Sequence, residues 1–92
     1  MAAEIRNLSP QHVWGYFHDL TQIPRPTGHM DAVIRYILAF GKESGLETLQ
    51  DKTGNIVIRK PATPGMEHCK TVIIQAHMDM VPQKNAATVH NF

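Results

Sequence analysis

The sequence predicts an α/β fold: two amino-terminal helices packed on a mixed sheet of about three strands, with the architecture incomplete. Three observations predict it. Two apolar stripes recur at helical spacing before residue 45, an alternating segment follows a turn motif at 51–55, and a β-branched run at 71–76 is apolar on both faces.

The first helix is expected to open at Ser9-Pro10. Ser9 is the capping hydroxyl, and Pro10 suits the first helical position, where its missing N–H costs nothing. Val13, Trp14, Phe17, Leu20 and Thr21 then form one stripe, and Pro24 and Pro26 end the helix by removing donors and crowding the preceding turn. A second helix is expected from near Thr27 and Gly28, with Met30, Val33, Ile34, Ile37 and Leu38 on its apolar face. Gly41 lies on that stripe and admits a close neighbour, and Gly45 is a left-handed terminator. Both stripes are read as core.

Strands follow. Leu46–Gln50 and Asn55–Lys60 pair as a hairpin across the turn residues Asp51-Lys52-Thr53-Gly54-Asn55. Pro61-Ala62-Thr63-Pro64-Gly65 is a loop. The run Thr71-Val72-Ile73-Ile74-Gln75-Ala76 has the composition of a strand buried on both sides, as in the middle of an α/β sheet. Such a strand needs a layer above and a layer below, and two helices cover only part of that area. The chain is therefore read as cut short.

Composition narrows the function. The 92 residues suffice for one small domain, and the 42% hydrophobic content fits folding rather than disorder. A charged fraction of 18% and a net charge of +1 give no reason to expect nucleic acid or an anionic membrane as partner. A single cysteine, Cys69, allows no intrachain disulfide, the start shows no signal-peptide pattern, and no apolar run approaches a bilayer span. The cytoplasm is the expected compartment.

Chemistry concentrates in Gln75-Ala76-His77-Met78-Asp79-Met80-Val81-Pro82. His77 falls just past the carboxyl end of the expected central strand, the rim where open α/β sheets place ligands. A neutral imidazole is a good zinc ligand, best when its other nitrogen donates to a carboxylate. In extended chain Asp79 shares a face with His77, so it is a candidate to orient that ring or shape the site. The His-x-Asp spacing alone also fits an ordinary rim histidine and turn aspartate. One imidazole and one carboxylate do not hold a catalytic zinc, which takes about three protein ligands.

The other histidines carry less. His12 and His18 belong to the solvent edge of the first helix, and His29 is a capping or surface group at the start of the second. His68 stands beside Cys69 on a loop, and His90 is near the end of the sequence. No nucleophile elbow or phosphate-cradling glycine loop is present. Arg25, Arg35, Lys42, Arg59 and Lys60 are scattered as on a solvated surface.

Longer strings point to a family. Gly54-Asn55-Ile56-Val57-Ile58-Arg59-Lys60-Pro61-Ala62-Thr63, then Pro64-Gly65-Met66-Glu67, then Val72 through Asn85 closely resemble bacterial aminoacyl-histidine dipeptidases, zinc enzymes grouped with aminoacylases and carnosinases. Leu8-Ser9-Pro10, Ile23-Pro24-Arg25-Pro26 and Gly45-Leu46-Glu47 look similar too, so the resemblance spans nearly the whole chain. It implies that residues 1–92 are the amino-terminal part of a zinc-peptidase catalytic domain. The remaining ligands, the general base and a lid or dimerisation domain would lie beyond. It further implies His77 as ligand to one of two zinc ions and Asp79 as the carboxylate that orients it and supports catalysis. The substrates implied are Xaa-His dipeptides such as carnosine, with this piece inactive alone. A second reading is a non-catalytic module that self-associates into a homo-oligomer through exposed sheet or helix faces. A third is a short metal-binding protein using His77 with His68, Cys69 or His90.

Overall fold

The computed structural model describes residues 2–90, with side chains from Glu4 onward. The elements run α1 (Ala2–Ile5), α2 (Gln11–Thr21), α3 (Asp31–Glu43), β1 (Glu47–Gln50) and β2 (Ile56–Arg59). The chain divides into two compact units. One comprises the chain up to Val33 together with Asp79 onward, and the other is Ile34–Met78.

In the first unit α2 is held to the segment before it by a charged staple. The Arg6 guanidinium donates to Asp19 Oδ1 at 2.6 Å, and its Nη1 lies 2.9 Å from His18 Nδ1. The same guanidinium keeps the Asp19 carboxyl below the usual carboxylate range. His18 is thus a half-buried member of a cluster rather than a solvent-edge residue. Ser9 does not cap α2. Pro10 occupies the cap position in extended conformation, without a side-chain bond, and its carbonyl accepts from Trp14 N–H at 3.2 Å. Trp14 and Phe17 meet edge to face with ring centroids 5.7 Å apart. The expected α2 core stripe is only half covered: no residue of α2 is buried, and Val13 is 60% exposed.

Past α2, Gly28 adopts φ 87°, a left-handed conformation that interrupts a right-handed helix. The second long helix therefore starts at Asp31, not near Thr27, with the Asp31 carboxylate in the positively polarised first turn. The α3 stripe behaves as expected: Val33 is 1% exposed, the only buried side chain among the described residues, and Ile34, Ile37 and Leu38 are half-buried. Gly45 ends the helix region at φ 72°.

The second unit is the rest of α3 on a hairpin. β1 and β2 pair antiparallel with Glu47 opposite Arg59, Thr48 opposite Ile58, Leu49 opposite Val57 and Gln50 opposite Ile56. Thr48, Ile56 and Ile58 are half-buried, while Leu49 and Val57 face outward. Gly41 is the contact point: a Cβ there would overlap the Thr48 hydroxyl and stand 3.0 Å from its Cγ2. Leu46 N–H donates to the Gly41 carbonyl at 3.0 Å, which tucks the entry to β1 under the helix end.

The sheet corrects the sequence reading in number and kind. It has two strands and is purely antiparallel, so the α/β class holds with one strand fewer and no mixed pairing. The run Thr71–Ala76 forms no strand among the described residues; Val72, Ile73 and Ile74 are 81%, 87% and 92% exposed. A both-faces-buried strand is stabilised by neighbours on each edge and layers on each face. None of these is supplied to Thr71–Ala76 by the described residues, so its β-branched composition is not enough.

Candidate functional site

Asp79 is held by a stiff arm. Pro24 and Pro26 fix their own φ near −65°, and Pro26 also drives Arg25 toward extended backbone. Along that arm Met80 N–H donates to the Arg25 carbonyl at 2.9 Å and Thr27 N–H donates to the Met80 carbonyl at 3.3 Å. The result is an isolated parallel bridge between Pro26 and Met80. Beside it the Thr27 hydroxyl donates to Asp79 Oδ2 at 2.6 Å. The Arg25 guanidinium reaches back to the Leu20 carbonyl near the end of α2, anchoring the arm to that helix.

Asp79 is half-buried and belongs to the first unit; His77 is exposed and is the last residue but one of the second. The imidazole is thus solvent-accessible rather than sealed in hydrocarbon, but the strand expected to precede it is not formed, so it does not stand at a sheet rim among the described residues. Of the other histidines, His12, His29, His68 and His90 are exposed, as is Cys69. Among the described residues no group of three His, Cys, Asp or Glu side chains is placed to hold a metal ion. By themselves, then, these residues do not fit a complete zinc centre, which needs about three protein ligands.

An open groove of about 970 Å³ runs along the first unit between the stretch from Thr21 to Pro26 and the chain from Met80 to His90. Arg25, Lys84 and His90 line it, and among the described residues no carboxylate does. Neither His77 nor Asp79 is among its lining residues.

Sequence reasoning missed Thr27 and Arg25 as site residues, assigning Thr27 to a helix start and Arg25 to a scattered surface charge. The usable signal was the Pro-Arg-Pro-Thr-Gly string, whose two prolines specify a rigid extended arm. No helix among the described residues is long and apolar enough to cross a membrane.

No family model matches the chain. A curated relative does: the chain is 50% identical over 90 residues to the cytosol non-specific dipeptidase of Escherichia coli, covering 98% of this chain and 19% of that protein. In structure it matches the aminoacylhistidine dipeptidase from Vibrio alginolyticus with a TM-score of 0.87 and 48% identity. That match covers 95% of this chain and 18% of the Vibrio chain. The chain therefore spans about a fifth of the length of these relatives. Over nearly all of its residues the chain is similar, in sequence and in backbone, to a segment of these two dipeptidases.

Proposed function

We propose that residues 1–92 are the amino-terminal part of the catalytic domain of a zinc-dependent, cytoplasmic dipeptidase that hydrolyses Xaa-His dipeptides such as carnosine. The observation that carries this is the 50% identity maintained over 90 residues, joined to a backbone match at TM-score 0.87. Both relatives are named dipeptidases, which supports the reaction. The Vibrio name supports a histidine-containing substrate, and the Escherichia coli name supports the cytosol and gives no substrate preference. In this reading His77 is one ligand of a two-zinc site and Asp79 is the carboxylate that orients it. The other ligands, the general base and a lid or dimerisation domain come from outside these residues. An exposed imidazole and a carboxylate fixed by Thr27 are compatible with those roles. Because the residues here do not make a metal centre by themselves, they are assigned a ligand position and an orienting position and no catalytic step, and the 92-residue chain alone is inactive.

The test is a chimera in which this chain replaces the matching segment of the Vibrio alginolyticus dipeptidase. Hydrolysis of a Gly-His substrate is retained in the chimera and falls about 100-fold or more on His77→Ala, beyond the loss typical of residues that only support a ligand. Retained activity in that variant rejects His77 as ligand, and turnover by residues 1–92 alone rejects the claim that further groups are required.

One observation favours a second reading, a non-catalytic module that self-associates. Val72, Ile73 and Ile74 form an uncovered apolar run, and such a run is covered when another surface is available. Size-exclusion chromatography of the 92-residue chain separates the two: a homo-oligomer dispersed by charge at Ile74 supports the second reading, and a monomer at all concentrations removes it.

A further inference from the structure

We propose that Thr27 is the residue that positions the Asp79 carboxylate, with the Pro24–Thr27 arm as its rigid mount. The proposal deepens the reading above and rests on it only for the importance of Asp79. The hydrogen bond from the Thr27 hydroxyl to Asp79 Oδ2 is 2.6 Å long, in the range of charge-assisted O–H···O⁻ bonds. It joins residues 52 apart in sequence, so it is not a by-product of a local turn.

Three features hold its two ends together. Two backbone hydrogen bonds lock Arg25 and Thr27 onto Met80, next to Asp79. The two prolines flanking Arg25 remove backbone freedom from the arm. The Arg25 guanidinium ties the same arm to the Leu20 carbonyl. With one carboxylate oxygen held in this frame, rotation of the carboxyl group is restricted. Thr27 touches no reacting atom in this account. It acts through Asp79.

The frame also explains why threonine suits the position. Its hydroxyl supplies the donor, and its branched Cβ restricts χ1, so the donor points in few directions. Serine keeps the donor and relaxes the restriction. Valine keeps the shape and removes the donor.

The experiment is solution NMR on the 92-residue chain, free of metal and substrate, with wild type, Thr27→Val and Thr27→Ser. In the wild type, cross-peaks link the Thr27 methyl to the Asp79 β-protons, and Asp79 populates a single χ1 rotamer. In Thr27→Val the Asp79 ¹³Cγ resonance moves toward its value in an unstructured peptide and the rotamer averages, while the Thr27-position and Met80 amides stay protected. Thr27→Ser restores the ¹³Cγ position. An unmoved ¹³Cγ in Thr27→Val, or a serine variant that fails to restore it, overturns the proposal. If the valine variant does not fold, the wild-type spectrum decides, since a freely averaging Asp79 rotamer there also overturns it. Because no metal or substrate is present, the result is independent of the His77→Ala outcome.

Discussion

The hairpin Glu47–Arg59 and the run Thr71–Ala76 have similar raw material and different fates. Both lie in the same unit and both carry β-branched, strand-forming residues. Between its strands the hairpin has Asp51, whose Oδ1 accepts from the N–H groups of Thr53, Gly54 and Asn55, each at 2.9 Å, while Asn55 Nδ2 donates to Oδ2 at 2.9 Å. These bonds, the Asn55 side-chain amide first, hold the Asp51 carboxyl below the usual carboxylate range. The turn brings β2 back onto β1, and α3 meets the hairpin closely at Gly41 and Thr48. An isolated two-stranded hairpin is marginal in water, so that contact matters. Thr71–Ala76 has no such turn and no partner strand among the described residues. Turn chemistry delivers a partner. Apolarity on two faces only asks for one.

The comparison can be broken at the helix contact. Gly41→Val pushes a branched side chain into Thr48 and is expected to cost about 2 kcal/mol, the usual cost of overpacking, read as a lowered midpoint in thermal or urea unfolding. An unchanged midpoint means that α3 does not support the hairpin.

A smaller effect is expected at the turn. The depressed Asp51 carboxyl contributes stability that is fully present above its unfolded-state value, about 3.9, and is lost as pH falls through the lower folded-state value. Asp51→Asn keeps an acceptor and removes the titration, so it flattens the acid limb of stability against pH. Asp19 and Glu67 are depressed in the same sense and leave a residual slope. An acid limb identical to wild type shows that the Asp51 turn does not contribute to it.

Smallest is the effect of charge in the uncovered run. Ile74→Asp alters a 92% exposed residue and is expected to move the stability of the dilute chain by no more than about 0.5 kcal/mol. A loss well above about 1 kcal/mol in unfolding of the monomer shows that the run is packed after all.

These contrasts also indicate what was legible in the sequence. The hairpin, its turn, the α3 stripe, the close approach at Gly41 and the terminator Gly45 all rest on spacing within a few residues, and sequence displays such spacing directly. The Thr71–Ala76 run is not legible in this way because composition specifies an environment without supplying it. The start of α3 differs from the spacing because the left-handed Gly28 outweighs helical periodicity that extends upstream of Asp31. Ser9 has the hydroxyl of a capping residue, but Pro10 fills that position with its backbone alone. Helical position alone puts His18 at the solvent edge because its partner Arg6 is 12 residues away, and nothing near Thr27 marks it because its partner is 52 away. Periodicity carries no information about such long-range pairs. His77 and Asp79 stood out through a string of neighbours that resembles a known family, not through their spacing.

The bridge between Pro26 and Met80 has a consequence for biosynthesis. Residues are added at the ribosome in order, and the hairpin with its helix can assemble once Arg59 has left the exit tunnel. The arm that carries Thr27 is made early, yet its bridge partner arrives only with Met80. Until then the nascent arm has to wait unpaired, and closing so long a loop carries an entropic penalty that a local turn avoids. The arm can therefore close only after Met80 has emerged from the exit tunnel.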